Sequence, residues 1–452
     1  MHSYPDRAKL AQLFAAEVSL FEKLHPNSED LHKKALGPLM SGVPMSWMAK
    51  WPGPHPVYVA SAKGSKFTDV DGIDYVDFCL GDTGAMVGHS PEAAVKAIKE
   101  QLDKGITLML PTENAAIAAQ VLAERFGVPK WQFTLSATDA NRHILRYARH
   151  VTGKSKVIVH DYCYHGTVDE TFAVLDLEGN TVSRDSNIGP QVDPSLTTIV
   201  VPFNDLAAAE RALQTGEVAA MLIEPAMTNI GIVLPEPGYL EGLRTLCDKY
   251  GAILIHDETH TLSEGPGGMT ARRGLKPDAI VIGKTIGSGI PAGAFGMTES
   301  LAKRIQSSLH LEHIDVGGVG GTLAGNALSM AAIRATLTEV LTPEAFVQME
   351  KLCTIWTQDV QNLIDKYQVG WQVSQLGCRA EYSFRPTAPH DGREAQEADD
   401  FELQQYLHLH ALNRGILMTP FHNMALMSPA HTESDVQRHT EHFDEALDAL
   451  FS

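Results

Sequence analysis

Long apolar runs are missing from this 452-residue chain. No stretch approaches the roughly eighteen consecutive apolar residues that a membrane-crossing helix needs. Basic charge is also scarce. Thirty-six Lys and Arg stand against fifty-five Asp and Glu, a formal net charge of −19. That balance argues against non-specific binding to nucleic acid or an anionic membrane. Cysteine is sparse and scattered: Cys79, Cys163, Cys247, Cys353 and Cys378, odd in number and without C-x-x-C spacing. Reduced thiols in a cytoplasmic compartment are expected, and a cysteine zinc cluster is not. No basic-then-apolar leader opens the sequence, and it contains neither an internal repeat nor a low-complexity tract.

The length fits two or three domains. Residues 6–25 carry Leu10, Leu13, Phe14, Val18, Phe21 and Leu24 at helical spacing. Residues 35–55 are rich in Pro, Gly, Met and Trp without period and read as an irregular segment near a pocket. Residues 57–80 alternate around an Asp71-Gly72 turn, as in a small antiparallel unit. From about 90 to 340, helical stretches alternate with the runs QFTL, KVIVH, TTIVV, AAMLIEP, AILIHDE and AIVIGK. That pattern predicts βαβ units and a mostly parallel sheet with helices on both faces. A helix is expected over 343–366, and an amphipathic helix over about 432–451. The expected division is 1–85, a large domain over 86–340 and a small C-terminal α/β domain over 341–452.

The stretch VIGKTIGSG (281–289) contains the Gly-Lys-Thr of a phosphate-binding P-loop. That motif needs a glycine five positions before the Gly-Lys pair, and the residue there is Asp278. Lys284 instead follows a buried strand. Ligands of open parallel sheets sit beyond the carboxyl ends of the strands. Beyond those ends stand Ser136-Ala137-Thr138 opening a helix, Tyr164, Glu224, Asp257 and Lys284. A helix N-terminus with hydroxyls suits a phosphate monoester. A tyrosine stacks on a flat ring, and a buried carboxylate holds a proton on a pyridine nitrogen. A lysine amine forms a Schiff base with an aldehyde. Together these describe pyridoxal 5′-phosphate. Taken singly, Ser136 and Thr138 are as well explained as helix caps, Tyr164 as packing and Asp257 as an ion-pair partner. The set on one edge is not. His256 and His260 resemble a zinc H-E-x-x-H pair, but the glutamate stands third. On a strand, positions i and i+4 lie about 13 Å apart, too far to share one metal. No metal is expected.

The motifs DVDGIDYVDF (69–78), GDTGAMVGHSP (81–91), SATDANRHILRYAR (136–149), CYHG (163–166), EPAMTNIGIVLPEPGYLEGLRTLCDKYGAILIHDE (224–258), GKTIGSGIPAGAFG (283–296) and GGTLAGNALSMAA (320–332) together resemble class III aminotransferases. The similarity is greatest to the branch holding glutamate-1-semialdehyde aminomutase and β-amino-acid transaminases. It runs from about residue 56 to the C-terminus. The resemblance implies a fold type I pyridoxal-phosphate enzyme with a smaller α/β domain, working as a homodimer with shared active sites. Pairing of dimers into tetramers stays open. It implies Lys284 as the Schiff-base lysine, Asp257 on the pyridine nitrogen, Tyr164 on one ring face and Thr259 on the other. Ala137 and Thr138 would take the phosphate, Glu224 would support the site, and Thr322 would reach the phosphate of the neighbouring subunit. The implied reaction moves an amino group from an amine or amino acid to a keto acid by a ping-pong path. An intramolecular aminomutase and an epimerase are the alternatives with the same cofactor, and a non-catalytic binding protein is a third.

Four departures from the family pattern stand out, and the two missing arginines bear on substrate. Ala137 replaces a usual glycine, and Asp139 a usual glutamate. The stretch Asp257-Glu-Thr-His-Thr-Leu-Ser-Glu264 lacks the arginine common in the class. The segment GVPMSWMAKW lacks a carboxylate-clamping arginine and carries Trp47 and Trp51 instead. Trp47 and Arg379 are the substrate-contact candidates, and Arg379 can equally form a structural ion pair with Glu381.

Overall fold

The computed structural model describes residues 5–310, 313–314 and 317–452. By internal packing the chain forms two units. One comprises residues 92–346 with 389–397, and the other residues 1–91, 347–388 and 398–452. The first and last parts of the chain thus belong to the same unit.

The unit spanning 92–346 is built on a seven-stranded sheet. Its order is Lys130–Thr134, Gly293–Met297, Ala279–Ile282, Ile253–Asp257, Val218–Ile223, Lys156–His160 and Thr198–Val201. Gly293–Met297 runs antiparallel to both its neighbours. The strands from Ala279–Ile282 to Thr198–Val201 are mutually parallel. Ala279–Ile282 and Val218–Ile223 are buried along their whole length. Strands covered on both faces read as continuous apolar runs, which is why AIVI and AAMLI were visible in the sequence. GAFGM was not, because two glycines and an alanine carry little strand propensity. Its neighbour explains the glycine at 296: an added Cβ there would meet the Trp131 ring at 2.5 Å.

The Ala137–Thr152 helix packs Ile144, Leu145, Tyr147 and Ala148 into the core formed with Val157, Val281 and Phe295. It opens on Ser136, whose Oγ accepts from the Asp139 amide at 3.2 Å, and ends on Gly153 at φ +66°. Such an N-cap is worth about 1 kcal/mol.

In the other unit, helix Arg7–Leu24 starts at Asp6, whose carboxylate accepts from the Ala8 and Lys9 amides. A second helix, Pro26–Ala35, lies in a stretch where no helix was expected. Strands Val59–Lys63, Lys66–Asp69 and Asp74–Asp77 form the antiparallel unit, and Ile416–Leu417 adds a fourth strand in parallel. A three-stranded antiparallel sheet follows (Gln372–Leu376, Arg379–Ser383, Met424–Leu426). The closing helix, Glu433–Phe451, begins on a capping box between Thr432 and Asp435. Segment 35–55 contains only two short 3₁₀ turns, Met40–Gly42 and Ser46–Ala49.

Candidate active site

Three strand ends and one helix N-terminus meet at the carboxyl edge of the large sheet. The Ala137–Thr152 helix begins there. The first amides of a helix have no intrahelical acceptor, so those of Ala137 and Thr138 are available to an anion. Two glycines close around this turn. A Cβ on Gly166 would stand 2.1 Å from Thr138 Oγ1, and one on Gly283 would stand 2.9 Å from the Ala137 nitrogen. Gly166 also has φ +76°, and the Thr167 amide donates to Thr138 Oγ1 at 3.1 Å. A side chain at either glycine would fill the cradle.

Asp257 ends the strand Ile253–Asp257 and pairs across to Val281, three residues before Lys284. Its carboxylate is buried. Oδ2 accepts from Asn141 Nδ2 at 2.8 Å and from His165 Nδ1 at 3.0 Å, and Oδ1 accepts from the Thr259 amide at 3.1 Å. Burial pushes this carboxyl up. The hydrogen bond and charge of His165, with those from Thr259 and Asn141, outweigh burial, so it lies below its ordinary range. Burial likewise depresses His165, but Cys163 and Asp257 beside it raise the imidazole. The pair therefore favours carboxylate with imidazolium. A carboxylate held ionised in a dry site suits a protonated pyridine nitrogen.

Lys284 follows Gly283 and opens the turn Lys284–Gly287. Its backbone is left-handed, φ +52°. Its Nζ lies 2.9 Å from His260 Nε2. Thr259 is buried, and its Oγ1 has no hydrogen-bond partner among the described residues. Glu224, also buried, accepts from Thr228 Oγ1 at 2.5 Å. Tyr164 is 36% exposed on the turn after Lys156–His160. The contacts run continuously from Lys284 through Gly283 to Ala137 and Thr138, then through Gly166 and His165 to Asp257. The cradle, the ionised carboxylate and the amine fit a phosphorylated pyridine aldehyde.

Thr322 lies on an exposed turn. Trp47 and Arg379 belong to the other unit. Trp47 is 45% exposed, whereas Arg379 is fully buried with Nη2 4.0 Å from Glu381 Oε2. That contact is the ion pair which the sequence left open.

Three residues in this network had no role from the sequence. Asn141 sits one helical turn after Ala137, and His165 directly follows Tyr164. Neither spacing is distinctive in itself. His260 was weighed only as half of a zinc pair. The two histidines in fact have separate partners: His256 Nδ1 meets Thr270 Oγ1 at 2.8 Å, and His260 meets Lys284.

The family model Aminotransferase class-III matches residues 47–450. A glutamate-1-semialdehyde 2,1-aminomutase of Anaeromyxobacter sp. (strain K) is 31% identical over 417 residues, covering 91% of this chain and 95% of the relative. A solved glutamate-1-semialdehyde-aminomutase from Pseudomonas aeruginosa PAO1 is 44% identical with a TM-score of 0.97, covering 99% of both chains. A lysine-to-alanine variant of it is solved in complex with PMP. An omega-transaminase from Sphaerobacter thermophilus is 27% identical with a TM-score of 0.85, covering 94% of this chain and 98% of that one. The chain therefore belongs to the class III aminotransferases, enzymes of fold type I that use pyridoxal 5′-phosphate.

Proposed function

We propose that the protein transfers an amino group from an amine or an ω- or β-amino acid to a keto acid in two half-reactions, with Lys284 as the reactive amine. The observation that carries this reading is the placement of Lys284 one strand away from the buried Asp257 carboxylate, beside the free first turn of Ala137–Thr152. When bound, pyridoxal phosphate supplies an aldehyde carbon for amine exchange and a ring that draws electron density from the substrate α-carbon. Lys284 would be the amine that holds that carbon until an amino donor takes its place and, once released, the base that moves the proton at the substrate α-carbon. Asp257, kept ionised by His165 and Asn141, holds the proton on the ring nitrogen. The Ala137 and Thr138 amides and the Thr138 hydroxyl hold the phosphate. Tyr164 and Thr259 cover the two ring faces. Glu224 supports the hydroxyl side, and Thr322 reaches the phosphate of the second subunit in a homodimer. Trp47 contributes an apolar wall for the donor.

An intramolecular aminomutase is the second reading. It is favoured by the 44% identity to the Pseudomonas aeruginosa protein so named. The absence of arginine from GVPMSWMAKW stands against a substrate that needs a carboxylate clamp there. The deciding measurement is the visible spectrum of the purified protein while amines, β-amino acids and α-amino acids are added without acceptor. Bleaching by one donor class, reversed by a separate keto acid, is the expected result. Turnover of an amino aldehyde without any added acceptor would favour the aminomutase. A protein that shows no cofactor band, even after pyridoxal phosphate is added, would remove both readings.

A further inference from the structure

The Lys284–Gly287 turn is bracketed by two residues in left-handed backbone, Lys284 at φ +52° and Ser288 at φ +49°. Neither is glycine. A side chain makes that conformation unfavourable, so it persists only where the surroundings impose it. The Ser288 amide closes the turn on the Thr285 carbonyl at 3.0 Å. Its hydroxyl lies 2.6 Å from Thr336 Oγ1. Thr336 is fully buried, and its own hydroxyl donates to the Ala332 carbonyl at 2.7 Å. A hydroxyl has one proton to give. The proton between the two side chains therefore belongs to Ser288, and Thr336 accepts it.

The accepting residue sits at a break in its own helix. Helix Ala327–Ala335 passes at Thr336 into a π turn, Thr336–Val340, closed by the Leu341 amide on the Thr336 carbonyl at 2.9 Å. Single π turns inside helices are found frequently at functional sites. Arg125 donates to the carbonyls of Leu337 and Leu341, so the irregular turn is itself held. The same helix grips the chain beyond Lys284 at a second point, where Ser329 Oγ donates to the Pro291 carbonyl at 3.1 Å.

We propose that Ser288 and Thr336 are positioning residues for Lys284: their hydrogen bond fixes the far end of the turn from which the lysine side chain starts, and so holds Nζ in register with the cofactor aldehyde carbon. Both act through Lys284. This role rests on the assignment of Lys284 as the reactive amine. It differs from a merely structural role in one respect, because its effect vanishes when the lysine is removed.

Holoenzyme is dialysed against pyridoxal phosphate at a series of concentrations, and the bound cofactor per chain is measured. Thr336→Val keeps the side-chain shape and removes the hydroxyl. It raises the dissociation constant about tenfold, the scale of one hydrogen bond. Ser288→Ala does the same, and the double variant does no more than either alone, because both remove one interaction. Thr336→Ser retains the hydroxyl and stays within about threefold of wild type. In a Lys284→Ala background, Thr336→Val leaves the constant unchanged. Wild-type affinity in Thr336→Val overturns the proposal. So does equal weakening with and without Lys284, and so do additive losses in the double variant. Should Thr336→Val not fold, Ser288→Ala is judged by the same comparison. If Lys284→Ala binds as tightly as wild type with the visible band intact, the Lys284 assignment itself falls. A loss confined to Lys284→Ala, with the Ser288 and Thr336 variants unmoved, sinks the positioning role alone.

Discussion

Lys284 combines a reactive side chain with a backbone conformation that non-glycine residues avoid. At φ +52° its Cβ costs about 1–2 kcal/mol. The sequence shows a lysine between a strand and a glycine-rich turn, but not the sign of φ. Two outcomes follow. Lys284→Ala abolishes turnover yet retains cofactor through the phosphate cradle, measurable as bound pyridoxal phosphate after gel filtration. Lys284→Gly apoprotein is more stable than Lys284→Ala apoprotein by about 1 kcal/mol in urea denaturation, because only glycine relieves the left-handed strain. Equal stabilities would show that the surrounding turn relaxes freely. The glycine at 166 has the opposite requirement. Gly166→Ala places a methyl 2.1 Å from Thr138 Oγ1 at φ +76°. It is expected to cost ~2 kcal/mol of stability and to weaken cofactor retention more than tenfold. A thermal melt and a cofactor titration read the two effects separately, and unaltered retention would mean that the cradle does not take the phosphate.

At the scale of elements, the N-terminal helix is joined by one buried carboxylate to the end of helix Phe401–Leu412. Glu17 accepts from His410 Nδ1 at 3.0 Å, Asn413 Nδ2 at 2.7 Å and Arg414 Nη1 at 3.1 Å. Burial raises its carboxyl, but His410, Arg414 and Asn413 together bring it down to about 2. The folded value lies below the unfolded one. The stabilisation is therefore complete above the ordinary carboxylate range and is lost as pH falls toward 2. The difference in urea midpoint between wild type and Glu17→Gln should be largest at pH 6, should shrink below about pH 4.5 and should close only as pH approaches 2. A constant difference would mean that Glu17 acts through packing alone. The first helix itself was legible from the spacing of Leu10, Val18 and Phe21. Its partner helix was not, because a residue pair 393 positions apart leaves no periodic trace.

For the whole molecule, the central question is how many chains make one site. Thr322 lies on an exposed turn of its own chain, the arrangement expected of a residue that serves a neighbour. Sedimentation at micromolar concentration should give at least twice the chain mass of 49.1 kDa. Thr322→Val should then weaken cofactor retention about tenfold, the scale of one charge-assisted hydrogen bond, without altering that mass. A monomer with full cofactor retention would remove the shared-site reading. The described residues include no helix long and apolar enough to cross a membrane.

The sequence by itself determined what short-range patterns can encode. Continuous apolar runs marked the buried parallel strands, and the residue after each run marked the ligand edge. That was sufficient to single out Ser136, Thr138, Tyr164, Asp257 and Lys284 as candidates. Tertiary structure alone decided what depends on distances between elements remote in sequence. It brought Asn141 and His165 onto Asp257, turned His260 toward Lys284, inserted the antiparallel Gly293–Met297 strand and buried Arg379 beside Glu381. The physical reason is that strand and helix propensities act over a few residues. Hydrogen-bond partners are chosen only when the sheet has closed and water has been excluded from its edge.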